Sequence, residues 1–571
     1  MVLRSEQELQ GLQNRFDEGV GAPMRSVRSA LLHKTILLCA AIAAQLLGAA
    51  ADGMQTAPSE ILLDGADAKG RVIVQTDGKV VMEGVSLASF VTLKWQRSLS
   101  RRAKVLGGMW ERTYGDGGWR GAYDEKAPRE GSMPWYFLAN DGVRTDGWGV
   151  QVQPNAFASW KITPQGVELL IDVRAGSSPV ELGGRRLELC TLVFRRGKDG
   201  ESPFEAGRAF CRMMCPKPRL PKERVWGYND WYCAYGNNTA TNFLADAMCI
   251  IRLADRGGKV ANRPFAVVDH GWELNESRGD NVGADGLWVE SNSRWNMPMG
   301  EFCRRVRALD ARPGLWYRPT MPWKAMPEAM RLNGFSGNVW KGGFLVDPTV
   351  PELHAFIKRD IARFRFWGIK LIKIDFITYD LNNTWGFAIG ERVIPHAKAV
   401  WRDKTRTSAE VIKGIYATMR EAAGDDIYIV GCNAIDHFVA GLFELQRIGD
   451  DTSGKEWART RKMGPNALAM RSIHNGTFYL NDGDCVGLAS AGDVPWEKNR
   501  QWLDLVSRSG TALFVSWKRS LLTDHDVVDF FSRALKVAAT EMPTGEPLDW
   551  METLRPLKWR FGGGETATYD W

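Results

Sequence analysis

The stretch GIKLIKIDFITYD, Gly368 to Asp380, sets one carboxylate, Asp375, among the apolar residues Ile369, Leu371, Ile372, Ile374 and Phe376. A carboxylate at the end of an apolar run has to be paired or has to be used. The residues before it, DPTVPELHAFIKRDIARFRFWG, read as a helix. Thr349 and Glu352 have capping-box spacing, and Pro351 falls in the first turn. Leu353, Ile357, Ile361 and Phe364 share one face, and Gly368 stops the helix. IKLIKID then reads as a short strand buried on both faces, as in a parallel sheet. A helix feeding such a strand belongs to a barrel or doubly wound fold, where strand C-termini carry the chemistry. A structural salt bridge is the other reading of Asp375.

The same rhythm extends in both directions. Apolar strand candidates recur at VWGYND, PFAVVDHG, PGLWYRP, IKLIKID, IYIVGC, LFELQRIG, TFYLND and ALFVSW, separated by helix-length segments. Eight such units predict a (β/α)8 TIM barrel over residues 225–520. Residues 52–205 show short alternating strands with turns, including a hairpin signature at Asp77-Gly78, and predict an antiparallel β-sandwich. A helical linker is expected at 206–224. A C-terminal tail is expected at 521–571, its GGGETATYDW ending resembling the start of a further β-domain.

Composition narrows the class. The chain has 571 residues, 44% apolar and 25% charged, with a net charge of +7 and scattered basic residues. That is ordinary for a globular protein and leaves no nucleic-acid footprint. From Met24, Arg25, Arg28 and Lys34 precede an apolar run at 35–47 and the small residues Ala49-Ala50-Ala51. This is a signal-peptide layout within an extension at 1–51, and it predicts a secreted or periplasmic protein with no membrane span in the mature chain. An uncleaved anchor is the alternative. Of nine cysteines, Cys39 lies in the leader, and Cys211 and Cys215 read as buried thiols. Neither the cysteines nor the seven histidines show metal spacing, and His437 and His474 read as loop or surface residues. FGGGE lacks the Lys-Ser/Thr of a phosphate loop and no GxSxG elbow appears, so no metal, cofactor or serine nucleophile is expected.

Reading the strand ends in order gives Asn229 and Asp230; Asp269 and His270; Arg318; Lys373 and Asp375; Cys432 and Asn433; Arg447, Asp450 and Asp451; and Asn481, Asp482 and Asp484. Carboxylates from several strands converge on one end. Two acids facing one pocket are what glycosidic bond cleavage requires. Lys373 lies on the same strand face as Asp375 and could hold its charge. The 24 tryptophans include a minority beside polar residues, suited to stacking on sugar faces.

Six motifs in order resemble those of the clan D, melibiase-type glycoside hydrolases, chiefly the family 36 α-galactosidases, with family 27 as a cousin. They are WGYNDWYCAYGNNT, VVDHGWE, FLVDPTVPE, IKLIKIDF, RIGDD and YLNDGDCV. The resemblance spans about Val225 to Ser516. It implies a retaining, exo-acting α-galactosidase-like enzyme with Asp375 as nucleophile and Asp451 as acid/base, Asp450 being the alternative. Asp269, Trp272, Lys373, Cys432 and Arg447 match sugar-contacting positions. Asp230, Trp231, His270 and Asn433 are further expected contacts with an oligosaccharide or polysaccharide. Asp484 matches a structural position. The roles require a raised pKa for Asp451 and a low one for Asp375. The family carries a second aspartate where this chain has His270, so the sugar could instead be an α-N-acetylgalactosaminide or a β-L-arabinopyranoside. A secreted glycan-binding protein without catalysis is the rival from another class.

Overall fold

A computed structural model describes residues 56–65, 70–115, 117–124, 132–332, 343–382, 384–389, 400–487 and 494–571. The predicted leader lies outside these residues.

Eight parallel strands close into a barrel in sequence order. They are β1 (Trp226–Asn229), β2 (Phe265–Val268), β3 (Arg312–Tyr317), β4 (Leu371–Ile374), β5 (Tyr428–Gly431), β6 (Leu445–Arg447), β7 (Leu480–Gly487) and β8 (Ala512–Ser516). Most of their residues are buried on both faces, because side chains fill the barrel on one side and helices cover the other. The TFYLND run begins in the turn before β7, and the strand continues to Gly487 with a register shift between Asp482 and Cys485.

Helix α1 (Pro351–Trp367) precedes β4. Pro351 is its first residue, and Gly368, at φ 92°, ends it in the left-handed conformation. The expected capping box does not form. Val350 occupies the cap position with no side-chain bond, because Thr349 donates both its hydroxyl (2.6 Å) and its amide (3.0 Å) to Asp347.

The N-terminal region holds two antiparallel sheets. One orders the strands at 60–64, 90–95, 166–172, 157–163 and 133–134; the other orders those at 71–74, 79–83, 187–195, 145–150, 136–140, 104–107 and 120–121. Rings from the two sheets meet. Trp148 lies 5.8 Å from Trp95 and 6.0 Å from Trp160, and Phe137 lies 5.8 Å from Trp160. Beyond β8, helix α2 (His525–Ala538) is followed by a three-stranded antiparallel sheet over 546–568.

His437 and His474 are neither loop nor surface residues; both are fully buried between the N-terminal region and the barrel. His437 stacks on Trp135 at 5.0 Å, and His474 Nε2 lies 2.7 Å from the Tyr136 hydroxyl. Burial pushes His437 down to about 3 and lowers His474 well below the ordinary imidazole range.

Candidate active site

Register places the central carboxylate. In the parallel ladder Trp316 of β3 sits opposite Lys373 of β4, and Tyr317 opposite Ile374. The ladder extends one bond further, the Asp375 amide donating to Tyr317 O at 3.0 Å. Phe376 then turns the chain at φ 63°, a left-handed conformation that strains a bulky residue. Its amide donates to Asp375 Oδ1 at 2.9 Å, and its ring lies 4.3 Å from the Arg318 guanidinium. Trp316 Nε1 donates to Asp375 Oδ2 at 3.0 Å. The Asn433 amide is assigned from its hydrogen-bond partners: with its NH2 toward Asp375 Oδ1, its oxygen accepts from Arg112 Nη2 at 3.3 Å. Three donors from three segments thus fix one carboxylate at the barrel mouth.

The direct partner of Lys373 is not Asp375, although the Asp375 carboxylate is among the charges that act on it. Lys373 Nζ reaches Asp269 Oδ2 at 2.7 Å. Burial works to lower the Lys373 pKa, but Asp269 foremost raises it well above the ordinary range. Asp269 also accepts from Asn229 Nδ2 at 2.8 Å, and its amide donates to Asp230 Oδ1 at 2.7 Å. Asp230 is therefore a buried support for the β2 terminus rather than a sugar contact. Burial, reinforced by nearby Asp269, pushes its carboxyl up to about 8. Trp272 is corrected in the same way. It is fully buried, donates Nε1 to Trp316 O at 3.0 Å, and packs on Trp288 and Phe364.

His270 does face the cavity. Its Nδ1 lies 2.8 Å from Glu273 Oε1, a carboxylate with no exposure, and its ring lies 4.7 Å from Trp316. Burial pulls the imidazole pKa down, but Glu273 outweighs it and the net shift is upward. A charged imidazole only donates hydrogen bonds.

On the opposite wall Arg447 pairs with Asp484 at 2.6 Å and with Asp451 at 3.1 Å. Asp484 is consumed there, accepting also from the Thr452 amide at 2.8 Å and from the Tyr232 hydroxyl. Asp450 is engaged by Arg112 at 2.8 Å and Arg459 at 2.6 Å. The Asp451 side chain is 42% exposed against 15% for Asp450, so Asp451 is the acid open to a ligand. Its pKa is lowered, contrary to the expectation for an acid/base. Burial raises it, but Arg447, Arg112 and Lys373 together outweigh burial. Cys432 Sγ accepts from Arg112 Nη1 at 3.4 Å and Arg447 Nη1 at 3.6 Å.

These groups line one cavity of about 620 Å³, a size that holds a small ligand. Asp375, Asp451, Asp450, Asp269, His270, Lys373, Cys432, Asn433, Arg447 and Trp231 all reach it; Asp230 and Trp272 do not. Arg112, Tyr114, Tyr235, Trp316, Arg318, Phe376 and Trp385 also line it. Arg318 is already among the strand-end residues; Trp316 belongs to the same predicted strand and Phe376 follows Asp375, so strand position could have found these two as well. Arg112 and Tyr114 come from the N-terminal sheet region and carry no local signal.

No protein-family model matches the chain, and no curated protein sequence matches it. Solved structures match its fold. An α-galactosidase from Thermus thermophilus, in complex with p-nitrophenyl α-D-galactopyranoside, aligns at 15% identity and TM-score 0.54, covering 89% of this chain and 96% of its own. A family 36 α-galactosidase from Geobacillus stearothermophilus aligns at 12% identity and TM-score 0.55, covering 88% and 77%. An α-galactosidase from Lactobacillus brevis gives 12% and 0.55, covering 82% and 62%. At these identities the likeness is one of fold.

Proposed function

We propose that this chain is a retaining, exo-acting glycoside hydrolase that removes a terminal α-galactose-like residue. The observation that carries the reading is the meeting of Asp375 and Asp451 in one cavity at the C-terminal mouth of the barrel. The fold shared with α-galactosidases supports it.

Asp375, held by Trp316, Phe376 and Asn433, attacks the anomeric carbon. Asp451 gives a proton to the leaving oxygen, and a covalent glycosyl-enzyme forms. Asp451, now a carboxylate, takes a proton from water, which releases the sugar with net retention. Lys373 and Asp269 bind hydroxyls from the cavity floor. Because Arg447 and Arg112 hold the Asp451 pKa low, little of the free enzyme carries the needed proton at neutral pH. With a poor leaving group, kcat/KM therefore falls as pH rises from the carboxylate range to neutrality.

His270 favours a second reading of the sugar. Paired with Glu273, it offers a donor to a sugar oxygen, whereas a carboxylate would accept from a hydroxyl. The preferred glycoside would then differ from galactose at the group facing His270. The two N-terminal sheets form a β-sandwich in this reading, and the leader from Met24 to Ala51 exports the enzyme.

A panel of nitrophenyl glycosides tests the activity, with NMR of the first-formed product anomer. Turnover of one α-glycoside with retention is expected. Inversion, or no turnover of any member, would contradict the reading.

A further inference from the structure

The N-terminal sheet region sends one segment into the barrel mouth. Thr113 lies between the strands at 104–107 and 120–121 and bridges to Gly449, just past β6. Its amide donates to Ile448 O at 2.8 Å, and the Asp450 amide donates to Thr113 O at 3.1 Å. Just before it, Asp436 N donates to Trp110 O at 2.9 Å and Gly386 N donates to Glu111 Oε1 at 3.0 Å. These bonds deliver Arg112, only 7% exposed, to the wall of the cavity that Asp375 and Asp451 share.

We propose that Arg112 is a positioning residue for both halves of the reaction, so that the N-terminal region is part of the catalytic apparatus. The inference rests on the roles given above to Asp375 and Asp451. Toward the nucleophile, the Asn433 amide assigned from its partners sets its NH2 against Asp375, and Arg112 Nη2 then meets its oxygen at 3.3 Å and anchors the far end of that donor. Without the guanidinium the NH2 still faces the carboxylate, but the amide oxygen loses the partner that anchors it. Toward the acid, Arg112 pairs with Asp450 at 2.8 Å and lies 4.0 Å from Asp451. It thereby occupies the neighbouring acid and leaves Asp451 for the substrate. A planar fork with several donors meets these partners together; an ammonium cannot.

The other groups facing Asp451 are Arg447 on β6, Lys373 on β4, the Tyr232 hydroxyl and adjacent Asp450; Arg459 donates to the Asp451 carbonyl at 3.1 Å. Removing Arg112 takes away one of the three cations that lower the Asp451 pKa and moves its titration to higher pH.

The test compares wild type, Arg112→Met and Arg112→Lys on a glycoside with a poor leaving group and on its dinitrophenyl counterpart, which departs without a proton. Compared on the acid side of the limb, where Asp451 is protonated in both enzymes, Arg112→Met should lower kcat/KM on the first about 10²-fold, the scale of losing one active-site donor, and less on the second. The pH limb present with the poor leaving group and absent with the dinitrophenyl substrate should move upward. Arg112→Lys should keep that limb nearly in place while losing roughly 10-fold in kcat/KM, since charge returns but the fork does not. Equal losses on both substrates with an unmoved limb would mark Arg112 as a scaffold tie and overturn the proposal. If Arg112→Met does not fold, an Arg112→Lys enzyme indistinguishable from wild type overturns it. A wild type that cleaves no glycoside overturns the site reading and this inference together; an active wild type with an unaffected Arg112→Met overturns this inference alone.

Discussion

Two buried clusters in this molecule use nearly the same residues. At the barrel mouth, aspartates, arginines, a histidine and aromatic rings surround the cavity. Between the N-terminal region and the barrel, Asp436 pairs with Arg471 at 2.7 Å and accepts from the Tyr479 hydroxyl, whose oxygen lies 3.1 Å from His474 Nδ1. Tyr136 and the stacked pair of His437 and Trp135 complete that second cluster. Burial, ion pairs and aromatic packing therefore do not separate a site from a scaffold. Access does. Asp436 has no exposed surface, whereas Asp451 is 42% exposed and its Oδ2 makes no hydrogen bond among the described residues. The closed cluster holds two regions together, and the open one keeps an acid for a ligand.

That contrast breaks most sharply at Asp375, the proposed nucleophile. Asp375→Asn should reduce turnover by about 10⁴-fold or more while leaving the melting temperature close to wild type, with partial rescue by azide as an external nucleophile. Near-normal activity in this variant would remove the assignment. Asp436→Asn should do the reverse. Removing one partner of a buried pair costs about 3–5 kcal/mol, so denaturant unfolding should shift strongly while kcat per folded molecule changes little. A stable but inactive Asp436→Asn enzyme would erase the distinction between the clusters.

The smallest effect concerns His270. A charged hydrogen bond to a hydroxyl contributes roughly 1.5–3 kcal/mol, equivalent to about 10- to 150-fold in kcat/KM. His270→Asp should raise activity on an α-galactoside relative to the enzyme's best substrate by a factor in that range. A flat or falling ratio would show that His270 does not choose the sugar, and would return the galactoside reading to first place.

The barrel was legible because each strand is a short apolar run bounded by helix-length segments, and the mouth was legible because polar residues follow those runs at once. What misled was local sequence taken without its partners. Thr349 has capping-box spacing, yet its hydroxyl goes to Asp347. Asp230 and Trp272 sit inside motif-like stretches, but one turns back to the Asp269 amide and the other packs into the core. Lys373 shares a face with Asp375, but the nearer carboxylate across the barrel takes it. The lowered pKa of Asp451 and the place of Arg112 in the cavity wall come from contacts invisible to any window of sequence; Arg112 meets Cys432 across 320 residues.

The central claim is that Asp375 forms a covalent bond to the sugar. A 2-deoxy-2-fluoro glycoside with an activated leaving group slows the second step and lets that bond accumulate. Intact mass followed by peptide mapping should find one fluoroglycosyl adduct, on the peptide containing Asp375, and none in Asp375→Asn. An adduct on Asp450 or Asp451, or turnover of the activated glycoside with no adduct at any time, would contradict the account.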